Sequence, residues 1–196
     1  MKTFKKALLM SVCAVALVVA SIMGTMAYLQ AETDPITNTM TVGKVAITLD
    51  EAKVTTDGVA VVDADRVTQN AYKLLPGQTY TKDPKVHVAA GSENCYLFVE
   101  VVNEIAAIEK SGATTIAEQM AAKGWTKIGD TNVYYHGTVA EAGNDVPVFD
   151  SFTISENVDD LQPYDGKTIT VKAYAVQAEG FATAEAAWNA TFGANP

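Results

Sequence analysis

The chain has few side chains able to act as a base or a nucleophile at neutral pH. It holds two histidines, His87 and His136, and two cysteines, Cys13 and Cys95. Nucleophilic catalysis needs one of these bases beside a Ser, Thr or Cys. His87 sits on the polar side of an alternating run, and His136 follows Tyr134-Tyr135 just before Gly137. Neither lies in a G-x-S-x-G elbow. Cys95 opens an apolar alternation, where a thiol is usually a small inert hydrophobe. Pairing between molecules, or catalysis, are the alternatives for it. Zinc needs three or four His, Cys or acid ligands at workable spacing, and the chain has neither H-E-x-x-H nor C-x-x-C. No cofactor, metal or catalytic residue is expected, and the chain is not read as an enzyme.

Acids offer a second chemistry. Asp57, Asp63 and Asp65 lie in DGVAVVDADR, and Glu156, Asp159, Asp160 and Asp165 lie in ENVDDLQPYDG. The calcium loop D-x-[DN]-x-[DN]-G fails after Asp65, because Val67 stands where an oxygen ligand is required. A loop site of another shape and plain solvated acids both remain open. No Gly-rich loop opens a helix with a lysine behind it, so phosphate binding has no support. Tyr72, Tyr80, Trp125, Tyr134, Tyr135, Tyr164 and Trp188 are scattered. They suit core or rim packing, or a sugar platform if several share one exposed face.

The elements that must position these residues are mostly strands. Val45, Ile47 and Leu49 alternate with polar neighbours, as do Val86 and Val88. Cys95, Leu97, Val99 and Val101 form one apolar face; Ile169, Val171, Ala173 and Ala175 form another. Period two over such lengths predicts half-buried strands. Shorter candidates are 59–62, 133–135 and 148–154. Turn pairs such as Asp57-Gly58, Pro76-Gly77 and Asp165-Gly166 separate the runs. Thr115–Lys123 and Thr183–Phe192 carry helix-start residues and stop before Gly124 and Gly193. Many short strands with one or two short inserted helices predict a mainly β fold, an antiparallel sandwich or barrel.

The N-terminus has a different character. Lys2, Lys5 and Lys6 precede a run from Ala7 to Leu29 that carries no charge. Thr25-Met26-Ala27 is a small-x-small site at the right depth, so residues 1–27 read as a signal peptide cut between Ala27 and Tyr28. The competing reading is an uncleaved anchor, since Ala7–Met26 is long enough to cross a bilayer of ~30 Å. Residues 28–41 match no pattern, and the sandwich domain is expected over 42–196. Cleavage removes Cys13 and three lysines but no acid, which makes the charge more negative than the −9 of the whole chain. That disfavours nucleic acid and anionic membrane as partners. Cys95 alone can form no intrachain disulfide, so stability must come from the core.

Several of these stretches resemble one family. Gly24-Thr25-Met26-Ala27-Tyr28-Leu29 followed by Asn38-Thr39-Met40-Thr41-Val42-Gly43-Lys44-Val45-Ala46-Ile47-Thr48-Leu49-Asp50-Glu51 resembles the start of the TasA/camelysin proteins of Gram-positive bacteria. Leu75-Pro76-Gly77-Gln78-Thr79-Tyr80-Thr81-Lys82-Asp83-Pro84 is similar to that family's L-x-P-G-x-x-x-x-K-[DP] element. The segments 95–100 and 173–177, with Phe181 and Trp188, look like a variant from anaerobic Gram-positives. The resemblance implies export, trimming after Ala27 by a dedicated signal peptidase, and a jelly-roll β-sandwich with helices inserted between strands. It further implies an extracellular matrix or cell-surface subunit that polymerises into fibres. The N-terminal segment of one subunit would insert as a strand into the next, its partner being itself or a homologous subunit. Tyr28, Leu29, Ala31, Ile36 and Met40 are the candidate insertion residues, although Pro35 removes one ladder donor. Some members are described as metalloproteases, an activity the missing zinc motif does not carry to this chain. A monomeric secreted module that binds carbohydrate, peptide or calcium is the alternative, and a secreted hydrolase is a distant third. Contact with a membrane is expected only through an uncleaved signal.

Overall fold

A computed structural model describes residues 2–26, 42–112 and 115–193. Ala27 and the candidate insertion residues Tyr28, Leu29, Ala31, Ile36 and Met40 lie outside the described residues. The chain divides into two units, Met1–Thr41 and Val42–Pro196. In the first, α1 is a helix over Lys2–Met26. Phe4, Leu8, Leu9, Met10, Val12, Val15 and Leu17 are all exposed on it, so beyond Lys5 and Lys6 its described side chains are predominantly apolar. Among the described residues no helix is long and apolar enough to cross a membrane, the side chains described on α1 ending at Leu17.

The second unit is mainly antiparallel β. Its strands are β1 (Ile47–Asp50), β2 (Thr79–Thr81), β3 (Lys85–Val88), β4 (Cys95–Asn103), β5 (Trp125–Lys127), β6 (Val133–His136), β7 (Asp145–Pro147), β8 (Ser151–Thr153) and β9 (Ile169–Gln177). They form a three-stranded sheet ordered β1-β3-β7, a pair β2-β8, and a four-stranded sheet ordered β5-β6-β4-β9. Helix α2 (Ile116–Ala122) follows β4 and helix α3 (Ala184–Phe192) follows β9.

Period-two patterning accounts for the long strands. Cys95, Leu97 and Val99 are completely buried and Val101 nearly so, which fixes the inner face of β4. They join Val86, Val88, Tyr80, Phe149, Phe152 and Ile154 in the main core. The opposite face of β4 is closed as well. Phe98 packs with Val133, Val176, Ala184, Ala187 and Trp188 in a second cluster beneath α3. The Trp188 ring lies 5.0 Å from Phe98 and meets Tyr174 edge-on at 5.5 Å. Thr183 caps α3 by accepting from the Ala186 N–H, and Thr115 with Glu118 forms a reciprocal capping box on α2.

Two short strand expectations need correction. Residues 59–62 are not a strand. The Asp57-Gly58 reversal folds 53–61 into a tight hairpin with a single Val54–Ala60 bridge, leaving Val59, Val61 and Val62 exposed. The run 148–154 is likewise not one strand: β8 covers only its end, while Val148 and Phe149 are buried in the stretch between β7 and β8. Leu75-Pro76-Gly77-Gln78 makes a turn in which the Gln78 N–H donates to the Leu75 carbonyl and Gly77 has φ +77°. Proline second and a left-handed glycine third are the residues a type II turn demands.

Candidate functional site

The side chains singled out for chemistry are dispersed. Cys95 is fully buried, and burial pushes its thiol pKa up, away from reactivity. His136 packs edge-on against Trp125 at 5.1 Å, with its Nδ1 near the Thr138 carbonyl and hydroxyl. Asp57, Asp63, Asp65, Glu156, Asp159, Asp160 and Asp165 are all exposed in loops. Among the described residues no three His, Cys, Asp or Glu side chains are grouped to hold a metal ion.

The architecture draws attention to the outer side of β9. Among the described residues this strand pairs with β4 alone, so its other side is a sheet edge there. The Ala178 N–H donates to Asn94 at one end of the ladder, and the Glu104 N–H donates to Thr168 at the other. With the register Cys95↔Gln177 to Asn103↔Ile169, antiparallel alternation turns the even-numbered residues of β9 toward β4. The N–H and C=O groups of Ile169, Val171, Ala173, Ala175 and Gln177 therefore point outward. Among the described residues they have no backbone partner. The side chains of Ile169, Val171, Ala173 and Ala175 face the main core yet are only half-buried, unlike their neighbours on β4. Val45, Ile47 and Leu49 of the β1 region are half-buried against the same core. Strands β1 and β9 approach within 8 Å without pairing. Among the described residues the core is thus incompletely covered along two sheet edges.

At the start of β9 this opening widens into a groove of about 850 Å³. Tyr72, Ile105, Phe152, Leu161 and Ile169 supply apolar wall, and Glu51, Asn70 and Lys82 supply polar floor. Tyr80 stacks on Phe152 at 5.0 Å, and Tyr72 meets both rings edge-on. The Tyr80 hydroxyl donates to the Lys73 carbonyl and accepts from the Leu75 N–H, each at 2.7 Å, which fastens the wall loop to the core.

The polar floor is tightly bonded. Glu51 and Lys82 are buried, with 5% and 8% of their surface exposed, and Lys82 Nζ lies 2.6 Å from Glu51 Oε2. Glu51 Oε1 accepts from Asn70 Nδ2 at 2.9 Å, and Asn70 Nδ2 also donates to the Ala52 carbonyl. Asn70 Oδ1 accepts from the Val54 N–H at 3.0 Å. Burial, then the charges of Glu51 and Asp83, push the Tyr72 phenol pKa upward, so it stays protonated. Its hydroxyl donates to the Thr81 carbonyl.

Beside the floor lies a chain of charges. Arg66 bonds Asp50 through Nε and Asp83 through Nη1, and donates to both backbone carbonyls through Nη2. His87 bridges Asp145 and Asp50, with Nδ1 2.6 Å from the first and Nε2 2.9 Å from the second. Burial lowers the His87 pKa, but the hydrogen bonds and charges of Asp50 and Asp145 outweigh it, and the net shift is upward. For Asp50, burial raises the pKa while Arg66 and His87 outweigh it, and the net shift is downward.

Glu51, Asn70 and Lys82 were not singled out by sequence reasoning, though a signal exists. Glu51 is the next member of the apolar series Val45, Ile47, Leu49. Lys82 follows Tyr80 on the buried side of β2 in the same way. A charge in the apolar phase of an alternation marks a buried ion awaiting a partner. Compared with family models, curated proteins and solved structures, the chain matches none.

Proposed function

We propose that the chain is a secreted structural subunit of an extracellular matrix or cell-surface fibre, built as a jelly-roll-like β-sandwich. Residues 1–27 serve as its cleaved signal, and the segment 28–41 of one subunit inserts as a strand into its neighbour. The observation that carries this reading is the outer edge of β9, whose backbone groups have no partner among the described residues and lie above a half-buried apolar face. An incoming extended segment would satisfy those groups while its alternate side chains cover the open core. Tyr28, Leu29, Ala31, Ile36 and Met40 are the side chains offered for that cover. Lysines at the start of α1 followed by exposed apolar side chains suit a segment handled by a signal peptidase during export.

The first experiment uses chains that begin at Tyr28 or at Val42, compared by electron microscopy and sedimentation. The Tyr28 chain should form filaments as concentration rises. The Val42 chain should stay folded and monomeric. Unfolding of the Val42 chain at low concentration would place the segment in its own subunit's sheet and end the reading.

The groove at the start of β9 favours one alternative, a monomeric binding module for a carbohydrate, a peptide or calcium. Its volume and its mixed apolar and polar walls suit an organic ligand better than a bare ion. Persistent monomers of the Tyr28 chain at high concentration would favour that alternative.

A further inference from the structure

We propose that Lys82 and Asn70 become joined by an intramolecular amide bond, with Glu51 as the general acid–base that makes it. The three side chains carry the parts of an amide transfer. Lys82 brings an amine, Asn70 a carboxamide carbon, and Glu51 touches both at once. One oxygen of Glu51 lies 2.6 Å from Lys82 Nζ, and the other accepts from Asn70 Nδ2 at 2.9 Å. Nucleophile and leaving group are thus held on the two oxygens of a single carboxylate.

The carbonyl is prepared too. The Val54 N–H donates to Asn70 Oδ1 at 3.0 Å, so it polarises the carbonyl and stays in place when that oxygen becomes negative. Burial of Glu51 and Lys82 keeps competing water away from the carboxylate and the amine. Tyr72 contributes a neutral phenol at the same floor and packs against Phe152, closing one side.

The balance of the reaction is simple. Transfer of one proton from the Lys82 ammonium to Glu51 leaves a neutral amine and a carboxylic acid. The amine lone pair attacks Asn70 Cγ, forming the C–N bond and a tetrahedral oxyanion beside the Val54 N–H. Glu51 passes its proton to Nδ2 and removes one from Nζ. The Cγ–Nδ2 bond breaks, and ammonia departs. The product is a secondary amide between Lys82 Nζ and Asn70 Cγ, with Glu51 left ionised by the final release of a proton to solvent. No oxidant, reductant or cofactor takes part. The bond would staple the loop lining the groove to the end of β2. It gives an exported chain a covalent brace that its single core thiol cannot supply. Strand acceptance at β9 plays no part in this chemistry, so either idea can fail alone.

The test is mass spectrometry of the secreted protein and of variants. The wild-type chain should be lighter than its sequence by one ammonia. Trypsin should release residues 67–73 joined to 74–85 through a side-chain amide, with Lys82 resistant to cleavage. Glu51→Gln, and Lys82→Arg, which keeps the positive charge, should both show full mass and separate peptides. Circular dichroism would establish that each variant is folded. Asn70→Asp is the second route if the Glu51 variant fails to fold: its crosslink would release water rather than ammonia. An intact wild-type mass with free 67–73 and 74–82 peptides would overturn the proposal. So would an ammonia loss confined to 67–73, which is cyclisation at Asn70, or a crosslink that survives in folded Glu51→Gln.

Discussion

His87 has a carboxylate on each ring nitrogen, whereas a neutral imidazole has one N–H to give. The protonated ring is therefore the form that satisfies Asp50 on β1 and Asp145 on β7 together. Because its folded pKa lies above 6.5, the stability it contributes is complete below pH 6.5 and is lost as pH rises through the folded value. Asp50 behaves oppositely: its folded pKa lies below 3.8, and its contribution is lost only as pH falls through that lower value. Denaturant midpoints measured across neutral pH should fall with rising pH in the wild type. In His87→Gln that step should be missing. Gly58 makes a separate prediction. It has φ +77°, and a Cβ there would sit 2.7 Å from the Tyr80 Cα. Backbone cannot move aside as a side chain can, so Gly58→Ala should cost on the order of 2–3 kcal/mol by chemical unfolding. Asp57-Gly58 was legible as a turn, but its close approach to Tyr80 was not. Contacts across the fold leave no mark in local spacing. The same limit hid the Arg66 bonds to Asp50 and Asp83, which come from three separate segments.

Strand periodicity predicted β3, β4 and β9 well, because one face of each is apolar in strict alternation, even where Phe98 and Val176 bury the other face too. It could not predict which strand would end a sheet. Alternation looks the same for a central strand and an edge strand, and only pairing separates them. On β9 the Ala173 N–H points away from β4, so proline there removes no bond of the subunit's own ladder. Ala173→Pro should stay folded by circular dichroism and should fail to add to filaments. An Ala173→Pro protein that assembles normally would exclude this edge as the acceptor. The role of α3 was also hidden, since TAEAAWNATF shows a helix but not the sheet face it covers. Trp188 is 2% exposed and fills the space over Phe98 and Tyr174. Trp188→Ala should cost about 3–5 kcal/mol, read from the unfolding midpoint. Its indole N–H is buried without a partner among the described residues, so Trp188→Phe should lose far less.

At the scale of the molecule, the negative charge, −9 for the whole chain and greater once the signal's lysines are removed, would keep separate subunits apart at low ionic strength. The proposed assembly should therefore quicken as salt screens that repulsion, a dependence readable by light scattering. Among the described residues β9 offers one long open edge, and each chain has one N-terminal segment. If the two meet head to tail, every growing fibre has a giving end and a taking end, and the contact does not close into a ring. A chain beginning at Val42 still takes but cannot give. Mixed in small proportion with complete chains, it would sit at a single terminus and stop growth there. Fibre length would then follow the ratio of the two forms rather than their total concentration, so that the cell could set it by where the N-terminus is trimmed.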